Sequence, residues 1–244
     1  MKKYILSLVL AAVLGAASLS VALELDRRRM LNAAEHKPWR GVGQVNVAGF
    51  SSRSMCTGTL IGEDLVLTAA HCVMSAYTGK PYRPGDVNFV AGYRLGQKVG
   101  HSKAKAIAVH PDYVLSAQAP IEQVATDIAL IRLADPIPAE KAPWFALGPA
   151  PSGQTPLTVI SYRQDRPNAL TRQRGCDLVG TRGALIQLGC SVTFGASGSP
   201  VFMGEGEEPR IVAVLAAKGT DARHPAAFAV LVERALDEVR ALLD

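Results

Sequence analysis

The chain has 244 residues, 48% of them apolar, with 26 Lys and Arg against 21 Asp and Glu for a net charge of +5. That length and apolar content suffice for one or two packed domains and exclude a disordered or low-complexity chain. The modest basicity comes without any RNA- or DNA-binding motif, so it reads as a solvated surface rather than a nucleic-acid footprint. The first elements in chain order are those of an export signal: Lys2 and Lys3, an apolar run from Ile5 to Leu14, then small residues with Ser20-Val21-Ala22 as the cleavage site. Cutting there leaves 222 residues, and no later segment is long and apolar enough to cross a bilayer. Residues 23–37 follow as either a removable pro-segment or an N-terminal extension, with Arg27-Arg28-Arg29 as either a processing site or a basic solvated stretch.

Short strands come next. Val45 and Val47 alternate with polar residues, and Thr57–Ile61, Leu65–Thr68, Val87–Ala91, Lys105–Val109 and Ile128–Leu133 read as strands of a first unit. A proline-rich stretch from Asp135 to Gly153 reads as the connection to a second unit. There Leu157–Tyr162, Ala184–Leu188, Val201–Met203, Arg210–Ala216 and Ala226–Val230 are the expected strands. Phe228, Leu231, Val232, Leu236, Val239, Leu242 and Leu243 then recur at helical spacing, which predicts an amphipathic C-terminal helix packed against the second unit. Many short strands with turn residues between them predict an all-β barrel or sandwich architecture. No repeat of 20–50 residues interrupts it.

The chemistry concentrates in three places. Phe194-Gly195-Ala196-Ser197-Gly198-Ser199-Pro200 sets a serine between glycines on a tight turn, where no bulky side chain hinders approach to the hydroxyl. Upstream lie Thr68-Ala69-Ala70-His71-Cys72 and Asp127-Ile128-Ala129-Leu130. A serine hydroxyl is a weak nucleophile until a base removes its proton and a third group orients that base. His71, Asp127 and Ser197 are the three residue types required, and an imidazole titrating near 6.5 can act first as base and then as acid. Ser199 is the nearest rival nucleophile; His36, His101, His110 and His224 lack a comparable context, and Asp112 reads as a turn residue.

The four cysteines, Cys56, Cys72, Cys176 and Cys190, allow three disulfide pairings, among which spacing alone does not choose. The local pairing closes two short loops, each contributing about 3 kcal/mol by chain entropy. No CxxC or HxxxH spacing supports a zinc site, and no metal or other cofactor is expected.

These blocks closely resemble the trypsin/chymotrypsin superfamily of serine endopeptidases. The matching residues are Cys56-Thr57-Gly58-Thr59-Leu60-Ile61, Leu67-Thr68-Ala69-Ala70-His71-Cys72, Asp127-Ile128-Ala129-Leu130 and Gly195-Ala196-Ser197-Gly198-Ser199-Pro200. They run in the order His, Asp, Ser, with 56 residues from His71 to Asp127 and 70 from Asp127 to Ser197. The Ser-Gly-Ser-Pro ending is similar to the bacterial glutamyl-endopeptidase branch. The resemblance implies an all-β fold of two antiparallel six-stranded barrels with a C-terminal α-helix and a catalytic cleft between the barrels. On this reading residues 38–140 are the first barrel, 141–226 the linker and second barrel, and 227–244 the final strand residues and helix. It further implies a disulfide between Cys56 and Cys72, a second-barrel bridge between Cys176 and Cys190, and an oxyanion hole from the N–H groups of Gly195 and Ser197.

Two departures from the family pattern bear on activation. Ala196 stands where trypsin-like enzymes carry the aspartate that pairs with a new N-terminal amine, and no Ile-Val-Gly-Gly start is present, only Pro38-Trp39-Arg40-Gly41-Val42-Gly43. The resemblance places the specificity pocket at Ser191, Leu215, Ala216, Ala217 and Lys218. Serine at position 191 argues against strict cleavage after Lys or Arg, and leucine at 215, where glutamyl endopeptidases carry histidine, argues against strict cleavage after Glu. An apolar residue before the scissile bond is expected, with Lys218 favouring an acidic one as the alternative. The implied function is a secreted or periplasmic endopeptidase acting on proteins or peptides through an acyl-enzyme, a monomer with no stable membrane anchor. A non-catalytic binding protein on the same fold is the rival, and an added substrate-binding module after the helix is not expected.

Overall fold

The structure, a computed structural model, describes residues 28–47, 55–116, 120–204, 208–219 and 226–243. The export signal, its cleavage site, Arg27 and His224 lie outside them. In the first half β2 (Val42–Val47), β3 (Met55–Leu60), β4 (Leu65–Thr68), β5 (Val87–Ala91), β6 (Gly100–Val109) and β7 (Ala129–Leu133) close into a barrel in the order β2-β3-β4-β7-β6-β5. All pairings are antiparallel. Val42, Val45, Leu60, Val66, Phe89, Leu130 and Ile131 fill it, each almost fully buried, as the inward positions of a small barrel require.

The second half is a sheet of eight strands rather than six. It contains β1 (Arg28–Met30), β8 (Leu157–Arg163), β9 (Arg166–Cys176), β10 (Leu178–Arg182), β11 (Leu185–Leu188), β12 (Pro200–Met203), β13 (Arg210–Lys218) and β14 (Ala227–Leu231), in the order β1-β9-β8-β12-β13-β14-β11-β10. The antiparallel all-β class with a C-terminal helix is as expected. The additions are β1, β9 and β10, which hydrophobic alternation did not mark. Strand β9 carries six polar residues and a mixed burial pattern, and β10 is mostly exposed at the sheet edge. Both are paired by a neighbour although neither shows an alternating apolar face in its sequence.

Residues 28–37 are packed against the second sheet. Strand β1 pairs with β9, Leu31 is fully buried, and α1 (Ala33–His36) is started by a capping box in which Asn32 and Glu35 exchange hydrogen bonds of 3.0 and 3.1 Å. Arg29 forms an ion pair with the Glu35 carboxylate. That hydrogen bond and the one from the Asn32 N–H hold the Glu35 pKa down to about 2. Arg29 is thereby an ion-pair partner in this segment and not an unattached basic residue.

His36 carries the first testable consequence. It is 3% exposed, and its Nε2 has no hydrogen-bond partner among the described residues. Burial, with the nearby charges of Arg94 and Arg40, lowers its pKa to about 4. A depressed histidine stays neutral in the folded chain while the unfolded chain takes up a proton below about 6.5. Stability is therefore fully present above pH 6.5 and falls as pH drops towards 4, by about 2–3 kcal/mol from this group. Denaturant midpoints at pH 7 and pH 4.5 are expected to show a smaller acid loss for His36→Gln than for the wild type; equal losses would refute this assignment.

One apolar cluster runs through both halves, and a second, with Leu157, Ile186, Val212 and Leu231, lies within the second half. Trp39, Phe145 and Phe202 cluster across the junction with ring centroids 4.9–5.8 Å apart, Trp39 stacked on Phe145 and Phe202 edge-on to Phe145. Helix α3 (Val232–Arg240) buries Val232, Ala235, Leu236 and Val239. It packs on β13 and β14 and also on β6 and β7 of the first barrel, so it bridges the halves where the sequence suggested the second alone. Its start at Val232 leaves Phe228 and Leu231 in β14. The halves are thus held at a fixed spacing, and the residues singled out above meet in the cleft between them.

Candidate active site

His71 sits on a short 3-10 turn, Ala70–Cys72, directly after β4. A disulfide joins Cys72 to Cys56 on β3, with Cα atoms 5.9 Å apart, which ties the histidine turn to the neighbouring strand. The other disulfide joins Cys176 to Cys190, Cα atoms 5.1 Å apart. Asp127 lies after α2 (Ile121–Val124), where Asp127 N–H donates to Val124 O at 3.2 Å and Ile128 N–H to Thr126 O at 2.8 Å. These bonds aim the carboxylate at the histidine turn. Its Oδ1 accepts from the His71 backbone N–H at 2.9 Å and its Oδ2 from His71 Nδ1 at 2.6 Å.

Asp127 is 6% exposed, so the pair is held in a poorly solvated setting. Burial alone would push the His71 imidazolium down, but the charge of Asp127 and its hydrogen bond together outweigh burial, and the His71 pKa is raised above the ordinary value. Tyr113 reports the same carboxylate: burial first, then the charge of Asp127, push its phenol up. With Nδ1 donating to a carboxylate, Nε2 carries the free lone pair.

Ser197 stands on the turn between β11 and β12, flanked by Gly195 at φ +88° and Gly198 at φ +78°. Side chains avoid such φ values, and at Gly198 an added Cβ would lie 2.2 Å from Thr57 O and 2.3 Å from Thr68 Oγ1. The turn can press this close to the first barrel only with glycine there. His71 and Ser197 line the same cleft of about 410 Å³, together with Met55, Cys56, Gln164, Phe194 and Gly195. Ser199, by contrast, is fully buried, and its Oγ has no hydrogen-bond partner among the described residues.

Phe194 O accepts from the Gln164 N–H at 2.8 Å. In a trans peptide the next N–H points the opposite way, which turns the Gly195 N–H away from Gln164. Among the described residues, neither the Gly195 nor the Ser197 N–H donates a hydrogen bond. The turn therefore offers two N–H donors that are unused among the described residues. Ala196, between them, is 2% exposed and donates to Thr193 O at 3.1 Å.

A second cavity of about 240 Å³ also reaches Ser197 and is lined by Val192, Thr193, Phe194, Ser197, Leu215, Ala216, Ala217 and Lys218. Leu215, Ala216, Ala217 and Lys218 are where the sequence placed the pocket. Ser191 is not in this lining: with the Gln173 amide oriented to satisfy both groups, that side chain brackets the Ser191 main chain at 2.7 and 3.1 Å. Val192, Thr193 and Phe194 instead complete the wall, and the sequence reading assigned them no role. Phe194 is 80% exposed and borders both cavities. A large aromatic next to a glycine-rich turn was the available signal for it.

Known proteins fit this geometry. The trypsin-like peptidase domain family matches residues 56–214, a span that includes His71, Asp127 and Ser197. The chain is 33% identical over 133 residues to phenoloxidase-activating factor 3 of Holotrichia diomphalia, covering 49% of this chain and 36% of that protein. It is 30% identical over 177 residues to serine protease 23 of Rattus norvegicus, covering 64% and 44%. It thus spans less than half the length of these curated relatives. Among solved structures, a Glu endopeptidase superposes with TM-score 0.71 at 17% identity, covering 88% of this chain and 95% of that one. The thermostable serine protease AL20 superposes with TM-score 0.68 at 15% identity, covering 85% and 98%. At those identities the likeness concerns the fold. The chain belongs to the trypsin-like peptidase family, within the trypsin/chymotrypsin-like superfamily of serine proteases.

Proposed function

We propose that this chain is a serine endopeptidase that hydrolyses peptide bonds through an acyl-enzyme. The observation that carries the reading is the bond from His71 Nδ1 to Asp127, with His71 and Ser197 facing one cleft. Ser197 Oγ attacks the scissile carbonyl as His71 Nε2 takes its proton, and the carbonyl electrons move onto oxygen. The N–H groups of Gly195 and Ser197 receive that oxyanion. Collapse breaks the C–N bond, and His71 returns its proton to the leaving amine. Water then attacks the ester with His71 again as base, and Ser197 departs with the proton back on Oγ. Asp127 holds the imidazole in the tautomer this requires and stabilises its cation.

The pocket wall of Val192, Leu215, Ala216 and Ala217 supports an apolar side chain before the scissile bond. Among the described residues no carboxylate lines it to pair with a substrate Lys or Arg, and Lys218 is the one charged residue in that lining. Two disulfides support action outside the reducing cytosol, in a secreted or periplasmic setting.

One preparation tests the reading: full-length protein expressed with its own leader and recovered after export, its new N-terminus expected after Ala22. Incubated with a fluorophosphonate probe, it is expected to carry the label on the peptide containing Ser197. Incubated with a peptide library, it is expected to cut mainly after apolar residues. Folded, disulfide-bonded protein that takes no label and cuts nothing would point instead to a binding protein on this fold. A profile dominated by Lys and Arg would overturn the pocket assignment alone.

A further inference from the structure

The oxyanion turn of this chain lacks an acidic residue at position 196, yet its donors are set. What holds them is traceable. Gly195 admits backbone conformations closed to other residues, so the peptides around it are free to rotate unless their carbonyls are tied. A rotated peptide would present a carbonyl oxygen where the oxyanion needs an N–H. Three carbonyls are tied here. Phe194 O accepts from Gln164 N–H at 2.8 Å, Gly195 O from the Thr57 hydroxyl at 2.8 Å, and Ser197 O from Thr57 N–H at 2.8 Å.

Two of those three donors belong to one residue, and it lies on the other barrel. Thr57 is on β3 and fully buried. Its hydroxyl has a single proton, and the 2.8 Å contact to Gly195 O is much shorter than the 3.5 Å contact to Tyr162 O. Its lone pair accepts from Tyr162 N–H at 3.0 Å, near the end of β8, two residues before Gln164. Its own carbonyl accepts from Thr68 Oγ1 at 2.8 Å, on the strand that leads to His71. Every polar atom of Thr57 is therefore used. Together they connect the histidine strand, the end of β8 and both sides of the oxyanion turn.

We propose that Thr57 is a positioning residue: its buried hydroxyl bridges the barrels to Gly195 O and fixes the 195–196 peptide, which lies between the two peptides that carry the Gly195 and Ser197 N–H groups, and so keeps both groups turned into the cleft. The backbone half of this bridge is available to any residue at position 57. The side-chain half requires a hydroxyl on Cβ, which Thr and Ser have and Val and Ala lack. The inference rests on the endopeptidase reading and adds to it the source of the turn's order.

The test compares Thr57→Val, Thr57→Ala and Thr57→Ser with the wild type on one peptide substrate, with rates normalised to folded protein by near-ultraviolet circular dichroism. Losing the tie is expected to lower kcat about tenfold to a hundredfold in T57V and T57A, short of the loss of an oxyanion donor itself. KM is expected to stay within about threefold, because substrate ground-state contacts are elsewhere. T57S is expected to stay within about threefold of wild type in both. The pH at which kcat/KM rises is expected to stay put, since His71 and Asp127 are untouched. Wild-type kcat in T57V and T57A overturns the proposal, and so does a loss of kcat that T57S shares, which would assign the effect to packing of the methyl group. If the wild type neither labels with fluorophosphonate nor turns over, the endopeptidase reading fails and this inference falls with it. Activity in the wild type with unaffected hydroxyl-free variants removes this inference alone.

Discussion

Ser197→Ala is expected to lower kcat about a millionfold, the loss seen when the nucleophile of such a triad is removed. The change deletes one oxygen that makes no hydrogen bond within the described structure. Stability should therefore move by less than about 0.5 kcal/mol, and the melting curve should overlay the wild type. A residual rate above the uncatalysed one should remain, because the Gly195 and Ser197 N–H groups still bind an oxyanion and the pocket still holds substrate. Ser199→Ala is the matched control. Its hydroxyl is fully buried and has no hydrogen-bond partner among the described residues, so its loss should leave turnover within a few-fold of wild type. The two serines lie two positions apart on one turn, yet only one has a free hydroxyl facing the cleft. Steady-state rates on a peptide ester and a peptide amide separate the cases. Turnover that survives in Ser197→Ala and disappears in Ser199→Ala would sink the assignment.

The candidate site was legible because its geometry is written in short local blocks. The glycines at 195 and 198 are there because the turn needs positive φ and a close approach to β3, constraints that leave a direct mark on sequence. Cys72 beside His71 marks the disulfide that fixes the turn. The barrel strands with clear alternation or apolar runs, such as β4, β5 and β7, carry their burial in their composition. Strand β9 was invisible for the opposite reason. Arg-Pro-Asn-Ala-Leu-Thr-Arg-Gln-Arg-Gly-Cys shows no apolar alternation, since its buried residues cluster at Ala169-Leu170-Thr171 and at Cys176, and it pairs with β8 on one side and β1 on the other. The same applies to Thr57. Its identity appears in a recognisable block, but its use lies across 138 residues of chain, at Gly195. Ser191 shows the limit of positional transfer: its neighbours Val192 and Thr193 reach the cavity, while Gln173 brackets its own main chain.

Asp127→Asn should lower kcat at neutral pH about ten-thousandfold, by reversing the imidazole tautomer and without moving a strand. The carboxylate accepts two hydrogen bonds, from the His71 backbone N–H at 2.9 Å and from Nδ1 at 2.6 Å. An asparagine can keep the first with its carbonyl oxygen, which leaves its NH₂ group facing Nδ1. Two donors cannot share that contact, so Nδ1 gives up its proton and becomes the acceptor. Nε2 then carries the hydrogen and has no lone pair for the Ser197 proton. A pH profile distinguishes this from simple loss of a charge. In the wild type, Asp127 outweighs burial and raises the His71 pKa. The rise of kcat/KM, which needs neutral His71, is therefore expected above the usual histidine value near 6.5. In the variant, burial acts without its counterweight and disfavours the imidazolium, so the remaining activity should rise at lower pH than in the wild type. Ser197 labelling by fluorophosphonate should slow in parallel, since it draws on the same base. A rise of kcat/KM at unchanged pH, with less than a tenfold loss of rate, would mean that Asp127 neither orients nor charges the base. His71 would then owe its reactivity to burial alone, and burial by itself lowers the basicity on which removal of the serine proton depends.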